Sequence, residues 1–200
     1  MELESSVPRL DRLKDVNWQY PVTKYRKALK SLLHETDNRC GYSLQHVSDL
    51  GEKSMEVDHF NPKLKHPRRN RHGNLIAASR HCNGAKSDIW PNEEDRRNGL
   101  YIINPYEEAD YGNHIIEERD TGLLIGKTTA GKWQIEILDL NAAHLITKRL
   151  DRTALLNTFL SAALASGADS SNELIKVVLA KLVEVKARIL PSMIPELPTA

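Results

Sequence analysis

The sequence is poor in cysteine: Cys40 and Cys82 are the only two in 200 residues. Two thiols cannot build a disulfide framework, so a small stapled secreted fold is not expected. In a reducing compartment they would be buried thiols or remnants of a metal site. No segment approaches the ~20 consecutive apolar residues that cross a bilayer. The opening residues, MELESSVPRLDRLKD, lack the apolar stretch of a signal peptide. The expectation is a cytoplasmic protein with no membrane partner. Internal repeats and low-complexity tracts are also missing. Excess charge of one sign is missing too: the formal net charge is +1, with 28% charged and 40% hydrophobic residues. That average hides an asymmetry. Between Asn61 and His81 lie Lys63, Lys65, Arg68, Arg69, Arg71 and Arg80, with no Asp or Glu among them.

What is present reads as one α+β unit, since 200 residues suffice for one full core or a small domain with additions. In the N-terminal helical segment, 1–36, TKYRKALKSLLHET places Tyr25, Leu29, Leu32 and Leu33 on one face, with Thr23 as its N-cap. A compact core is expected over 37–92. Its turn-rich start leads to a strand at Met55–Asp58, a long charged loop, FNPKLKHPRRNRHG, and a second strand at Asn74–Ala78. A short helix over 83–89 follows, ended by Trp90-Pro91. In 93–165, HIIEERDTGLLIGKTTAGKWQIEILDL shows three β-rich runs divided by Asp120-Thr121-Gly122 and Ala130-Gly131, which reads as an antiparallel meander. Asn141 is then expected to cap a long helix carrying Leu145, Ile146, Leu150, Leu155, Leu156, Phe159 and Leu160. After the linker SGADSSN, a C-terminal helix over 172–190 would complete a helical hairpin.

A hairpin packed on a helix brings the end of its first strand and the first turn of the helix to one edge. Asp58-His59, Asn74 and Asn83 would then share a site. The blocks Asp58-His59-Phe60-Asn61-Pro62, Gly73-Asn74-Leu75 and Cys82-Asn83-Gly84-Ala85-Lys86 occur in the order found in the HNH endonucleases, and the segment from Cys40 to Asp88 resembles that ββα-metal family. The resemblance implies that His59 is the general base, that Asp58 and Asn83 hold the metal, and that Asn74 fixes the loop and orients the base. Residue chemistry agrees: a neutral imidazole can take a proton near pH 7. Carboxylate and amide oxygens suit Mg²⁺ or Mn²⁺ better than Zn²⁺.

Many HNH proteins also bracket the motif with two Cys-x-x-Cys pairs around a structural zinc. Here the pairs read Cys40-Gly41-Tyr42-Ser43 and Ser79-Arg80-His81-Cys82, a degenerate knuckle in which serine replaces one cysteine of each. Serine hydroxyl is a poor zinc ligand, so structural Zn²⁺ is expected to be absent. A weak site from Cys40, Cys82 and His81 stays open. The basic residues Lys63, Lys65, Arg68, Arg69, Arg71 and Arg80, with Lys86, are candidates for phosphate contact with DNA. In its wider layout, with Asn104-Pro105-Tyr106, Thr121-Gly122, Leu138-Asp139-Leu140-Asn141 and Arg149, the chain resembles the PtuB-type HNH proteins of Septu and retron antiphage systems. That resemblance implies an ABC-type, PtuA-like ATPase partner. One HNH site cuts one strand, so a double-strand break would need two visits or a homodimer. Two other readings stand beside this one: a silent HNH-derived nucleic-acid-binding or assembly module, and a stand-alone restriction-type nuclease, for which no helix-turn-helix is evident.

Overall fold

The computed structural model describes residues 20–106, 111–118 and 120–165. The C-terminal helix expected over 172–190 and all residues before Tyr20 lie outside the described residues. The architecture is mixed α+β, with two separate two-stranded antiparallel sheets. Among the described residues, no helix is long and apolar enough to cross a membrane.

A 3₁₀ turn, Tyr25–Ala28, runs into α1, Leu29–Glu35. Ala28, Leu32 and Leu33 are its buried stripe, matching the helical spacing of the apolar residues. Thr23 does not cap it: the preceding residue is Lys24, and no side chain takes that role. Instead the Pro21 carbonyl accepts the N–H groups of Lys24 and Tyr25 at 2.8 and 3.1 Å, so a proline turn satisfies donors a cap would have taken. Asp37 and Asn38 adopt left-handed backbone after the helix, where Asn38 N–H bonds Leu33 O at 2.7 Å.

The chain then folds beneath the main hairpin. Gly41 N–H donates to Ala77 O at 2.8 Å, and a Cβ at this glycine would meet Ile76 Cγ2 at 2.5 Å, so only glycine allows the approach. After the single turn α2, Val47–Leu50, come β1, Met55–His59, and β2, Leu75–Ser79, paired from Met55↔Ser79 to His59↔Leu75. Every residue of β2 is buried, because α1 packs on one part of the hairpin and α3, Arg80–Lys86, on another; hence its unbroken LIAAS run. Helix α3 starts earlier than the expected 83. Ser79 Oγ accepts from Cys82 N–H at 3.1 Å and sets the start, and Ser87 in left-handed backbone, rather than Trp90-Pro91, ends the helix. The capping box of Asn92 and Asp95 opens α4, Glu93–Arg97.

The expected three-stranded meander is corrected to a hairpin and a helix. β3, Ile115–Glu117, pairs with β4, Leu124–Gly126, but the third run forms α5, Thr129–Ile137. Trp133, Ile135 and Ile137 alternate as in a strand, yet Thr128 Oγ1 caps Gly131 N–H at 3.1 Å, and the buried Gln134 takes Ile103 N–H at 2.7 Å. Gly131 is no turn signal: a Cβ there would lie 2.0 Å from His114 O, so it lets α5 touch the backbone leading into β3.

The long helix is present as α6, Ala143–Ala165. Asn141 does not cap it with the expected geometry; its side-chain amide clamps Leu124 instead, accepting from N–H at 2.8 Å and donating to O at 2.9 Å. From α6, the buried Arg149 reaches Gly122 O at 3.0 Å and also bonds Leu140 O. Arg152 meets Glu117 of β3 at 3.1 Å and Asp49 of α2 at 3.8 Å.

Candidate active site

Strand alternation puts Glu56 and Asp58 on one side of β1, and Met55, Val57 and His59 on the other. Helix α3 lies along the first side. Its Asn83 Nδ2 donates to Glu56 Oε2 at 2.8 Å, and Arg80 Nε to Glu56 Oε1 at 2.9 Å; these two hydrogen bonds hold the Glu56 carboxyl below its usual range. One turn on, Lys86 Nζ sits 2.8 Å from Asp58 Oδ2 and donates to His59 O at 2.9 Å. Tyr42 OH donates to the same Asp58 oxygen at 2.5 Å. Burial pushes the Tyr42 phenol well up, and the Asp58 charge adds to that rise. Lys86 is 0% exposed, which corrects its expected role: a buried ammonium held by Asp58 and a backbone carbonyl is a structural counter-ion, not a phosphate contact.

On the other side, His59 packs against the Tyr25 ring, with centroids 4.5 Å apart, and its Nε2 lies 2.8 Å from Asn70 Oδ1. Because Oδ1 only accepts, Nε2 carries the proton and Nδ1 keeps its lone pair. Burial lowers the His59 pKa below the ordinary imidazole value. The positive charges of Arg69 and Lys86 act in the same direction, while the Asn70 bond and Asp58 oppose them. The role assigned to Asn74 is divided in the structure. Asn74 holds the loop: it accepts from Asn61 N–H at 2.8 Å and donates to Asn61 O and Arg69 O at 3.2 and 2.9 Å. Contact with the His59 ring belongs to Asn70, which the sequence did not single out. Its position amid RRNRHGN gives no signal beyond lying four residues ahead of Asn74. Glu56 was also missed, although its place two residues before Asp58 in a strand puts both carboxylates on one face.

A hard cation suits the donors on the α3 side. Asp58 Oδ1 and Asn83 Oδ1 are oxygens that take no hydrogen bond among the described residues, whereas their partner atoms are engaged. Among the described residues no three His, Cys, Asp or Glu side chains group to hold a metal. Asn83 meets Glu56 while Asp58 meets Lys86 and Tyr42, so an ion held by Asp58 and the Asn83 amide oxygen would complete its shell largely with water, as Mg²⁺ does.

The four knuckle residues come together beneath the hairpin. Ser79 N–H and Ser43 N–H donate to Cys40 Sγ at 3.2 and 3.5 Å, and Cys40 Sγ lies 3.7 Å from Ser79 Oγ. Burial would raise the Cys40 pKa, but hydrogen bonds from Cys82, Ser43 and Ser79 outweigh it and lower the thiol to about 5. The donor, Cys82, is pushed up. Both cysteines are free and buried. His81, the alternative zinc ligand, has its Nε2 on Asp139 O at 3.0 Å and its ring against His144.

Lys63, Lys65, Arg68, Arg69, Arg71 and Arg80 are all exposed. Lys63 pairs with Asp88 at 2.9 Å and Arg80 with Glu56, while Lys65, Arg68, Arg69 and Arg71 meet no carboxylate among the described residues. Four cations on the loop that carries Asn70 thus stand open to an anionic partner. The chain matches no protein-family model and no curated protein.

Proposed function

We propose that the protein is a metal-dependent HNH-type endonuclease that hydrolyses phosphodiester bonds in DNA, acting in the cytoplasm as the effector of an antiphage system beside an ABC-type ATPase. The observation that carries this reading is the β1–β2–α3 unit. It carries an imidazole with its Nδ1 lone pair unengaged on one side of β1, the Asp58 carboxylate on the other side with Asn83 on the adjoining α3, and a loop of exposed cations between the two strands. His59 Nδ1 takes the proton of the attacking water, and Asn70 keeps the ring in the tautomer that can do so. Asn74 holds the loop at Asn61 and Arg69, which keeps the Arg69 charge near His59, and Arg68, Arg69 and Arg71 neutralise the DNA backbone. When bound at Asp58 and Asn83, Mg²⁺ or Mn²⁺ supplies charge stabilisation for the phosphate and the leaving 3′ oxygen. Lys86 balances Asp58 and fixes its carboxylate.

A second reading, an HNH-derived nucleic-acid-binding or assembly module that does not cut, is favoured by the same Lys86–Asp58 pair, since the ammonium already neutralises the carboxylate. Plasmid cleavage with Mg²⁺ or Mn²⁺ separates the two. The protein, alone and with an ATPase encoded beside it, is compared with His59→Ala. Cleavage by the wild type that drops at least a hundredfold in the variant supports the nuclease. Equal cleavage by both, or support by Zn²⁺ but not by Mg²⁺ or Mn²⁺, would dispose of this mechanism.

A further inference from the structure

The side of β1 that carries Glu56 and Asp58 continues to Phe60, and each of the three meets a residue on or after α3: Glu56 meets Asn83, Asp58 meets Lys86, and Phe60 meets Trp90. Beyond the last pair lies a cavity of about 400 Å³, lined by Phe60, Trp90, Arg96, Tyr101 and Asn104 among others. Its size is that of a small-molecule site. Phe60 and Trp90 meet edge to face with centroids 5.3 Å apart, and the Arg96 guanidinium lies 5.2 Å from the Trp90 centroid. All three aromatic rings are half-buried, so part of each faces the opening. Asn104 accepts from Tyr106 N–H at 3.1 Å through Oδ1, while its Nδ2 finds no acceptor among the described residues.

We propose that this cavity takes one unstacked nucleobase of the DNA strand next to the phosphate being cut, a proposal that rests on the nuclease reading for the identity of its strand. Flat aromatic walls, a planar cation at the rim and one spare amide donor match a ring with two π faces and acceptor atoms on its edge. A hydrocarbon ligand would use neither the guanidinium nor the amide, and an aliphatic anion would leave the aromatic walls unused. Position selects a base over an aromatic peptide side chain: Phe60 follows Asp58 by two residues, about 6.7 Å along the strand, which is within the reach of one nucleotide. Trp90 and Tyr101 stack on the base, Asn104 Nδ2 donates to an exocyclic or ring acceptor, and Arg96 covers the open edge.

The test is binding of a short single-stranded oligonucleotide to full-length His59→Ala protein, with an abasic site stepped along the strand. One position is expected to weaken binding about tenfold, and 2-aminopurine placed there should be quenched on binding. In Trp90→Leu the positional penalty should vanish and the intact strand should bind about tenfold more weakly. Arg96→Ala, at an exposed position that keeps the fold, should shrink the penalty two- to fivefold. A flat abasic profile, a penalty unchanged in both variants, or no oligonucleotide binding would overturn the proposal. No plasmid cleavage by the wild type, together with a persisting positional penalty, would remove the nuclease reading and leave the base pocket standing.

Discussion

At the scale of single residues, the site depends on partners that are not themselves chemical. His59 is useful only while Asn70 holds Nε2, so Asn70→Ala should lower cleavage about a hundredfold, because displacing a reacting group by an ångström costs that much. Its melting temperature should move little by comparison, and a fall in both together would make Asn70 merely structural. Lys86 is the opposite case. Removing it leaves Asp58, 5% exposed, without its counter-ion, so Lys86→Met should cost about 3–5 kcal/mol in urea unfolding. Adding Asp58→Asn should recover part of that loss; strictly additive costs would mean that the two do not interact. The first of these residues was illegible in the sequence and the second was misassigned, for one reason. A polar side chain's exposure is decided by tertiary packing, and a Lys behind an Asn has no periodicity that tells core from surface.

At the scale of elements, legibility followed the length and purity of the pattern. The hairpin strands emerged within a residue or two, because MEVDH alternates apolar and polar residues at its start, LIAAS is a short apolar run, and turn formers bound both. The third run of the expected meander failed because WQIEI alternates like a strand. Its helix is chosen by contacts invisible in one dimension: the Thr128 cap, the Gln134 bond to Ile103, and the approach of Gly131 to His114. Thr23 and Asn141 failed similarly. Both are capping residues by type, and a proline carbonyl and the Leu124 backbone supplied the competing geometry. The element-scale prediction concerns α5. Gly131→Ala forces a methyl into backbone oxygen and should cost about 3 kcal/mol, read as a lower denaturant midpoint at unchanged slope. A neutral result would show that α5 can slide off β3.

At the scale of the whole molecule, the neutral average charge conceals a basic face on the loop between β1 and β2. Replacing Arg68, Arg69 and Arg71 together by alanine should weaken DNA binding at low salt and reduce the slope of log affinity against log salt by roughly 2–3. An unchanged slope would place the DNA elsewhere. Among the described residues each sheet has two strands, a size that is marginal alone in water, and no strand pairing joins the two. What spans the gap is α6: the Leu145 carbonyl receives Gln45, Arg149 grips the turn before β4, and Arg152 reaches Asp49 beside the first sheet and Glu117 in the second. One apolar core also spans it, from Val57, Leu75 and Ile76 of the first sheet to Ile115 and Leu124 of the second, so the guanidinium contacts add to a coupling that the shared core already provides. Cutting Arg152 back to alanine should speed amide exchange in the β3–β4 hairpin more than in the β1–β2 hairpin, and equal change in both would show that the shared core alone sets the coupling.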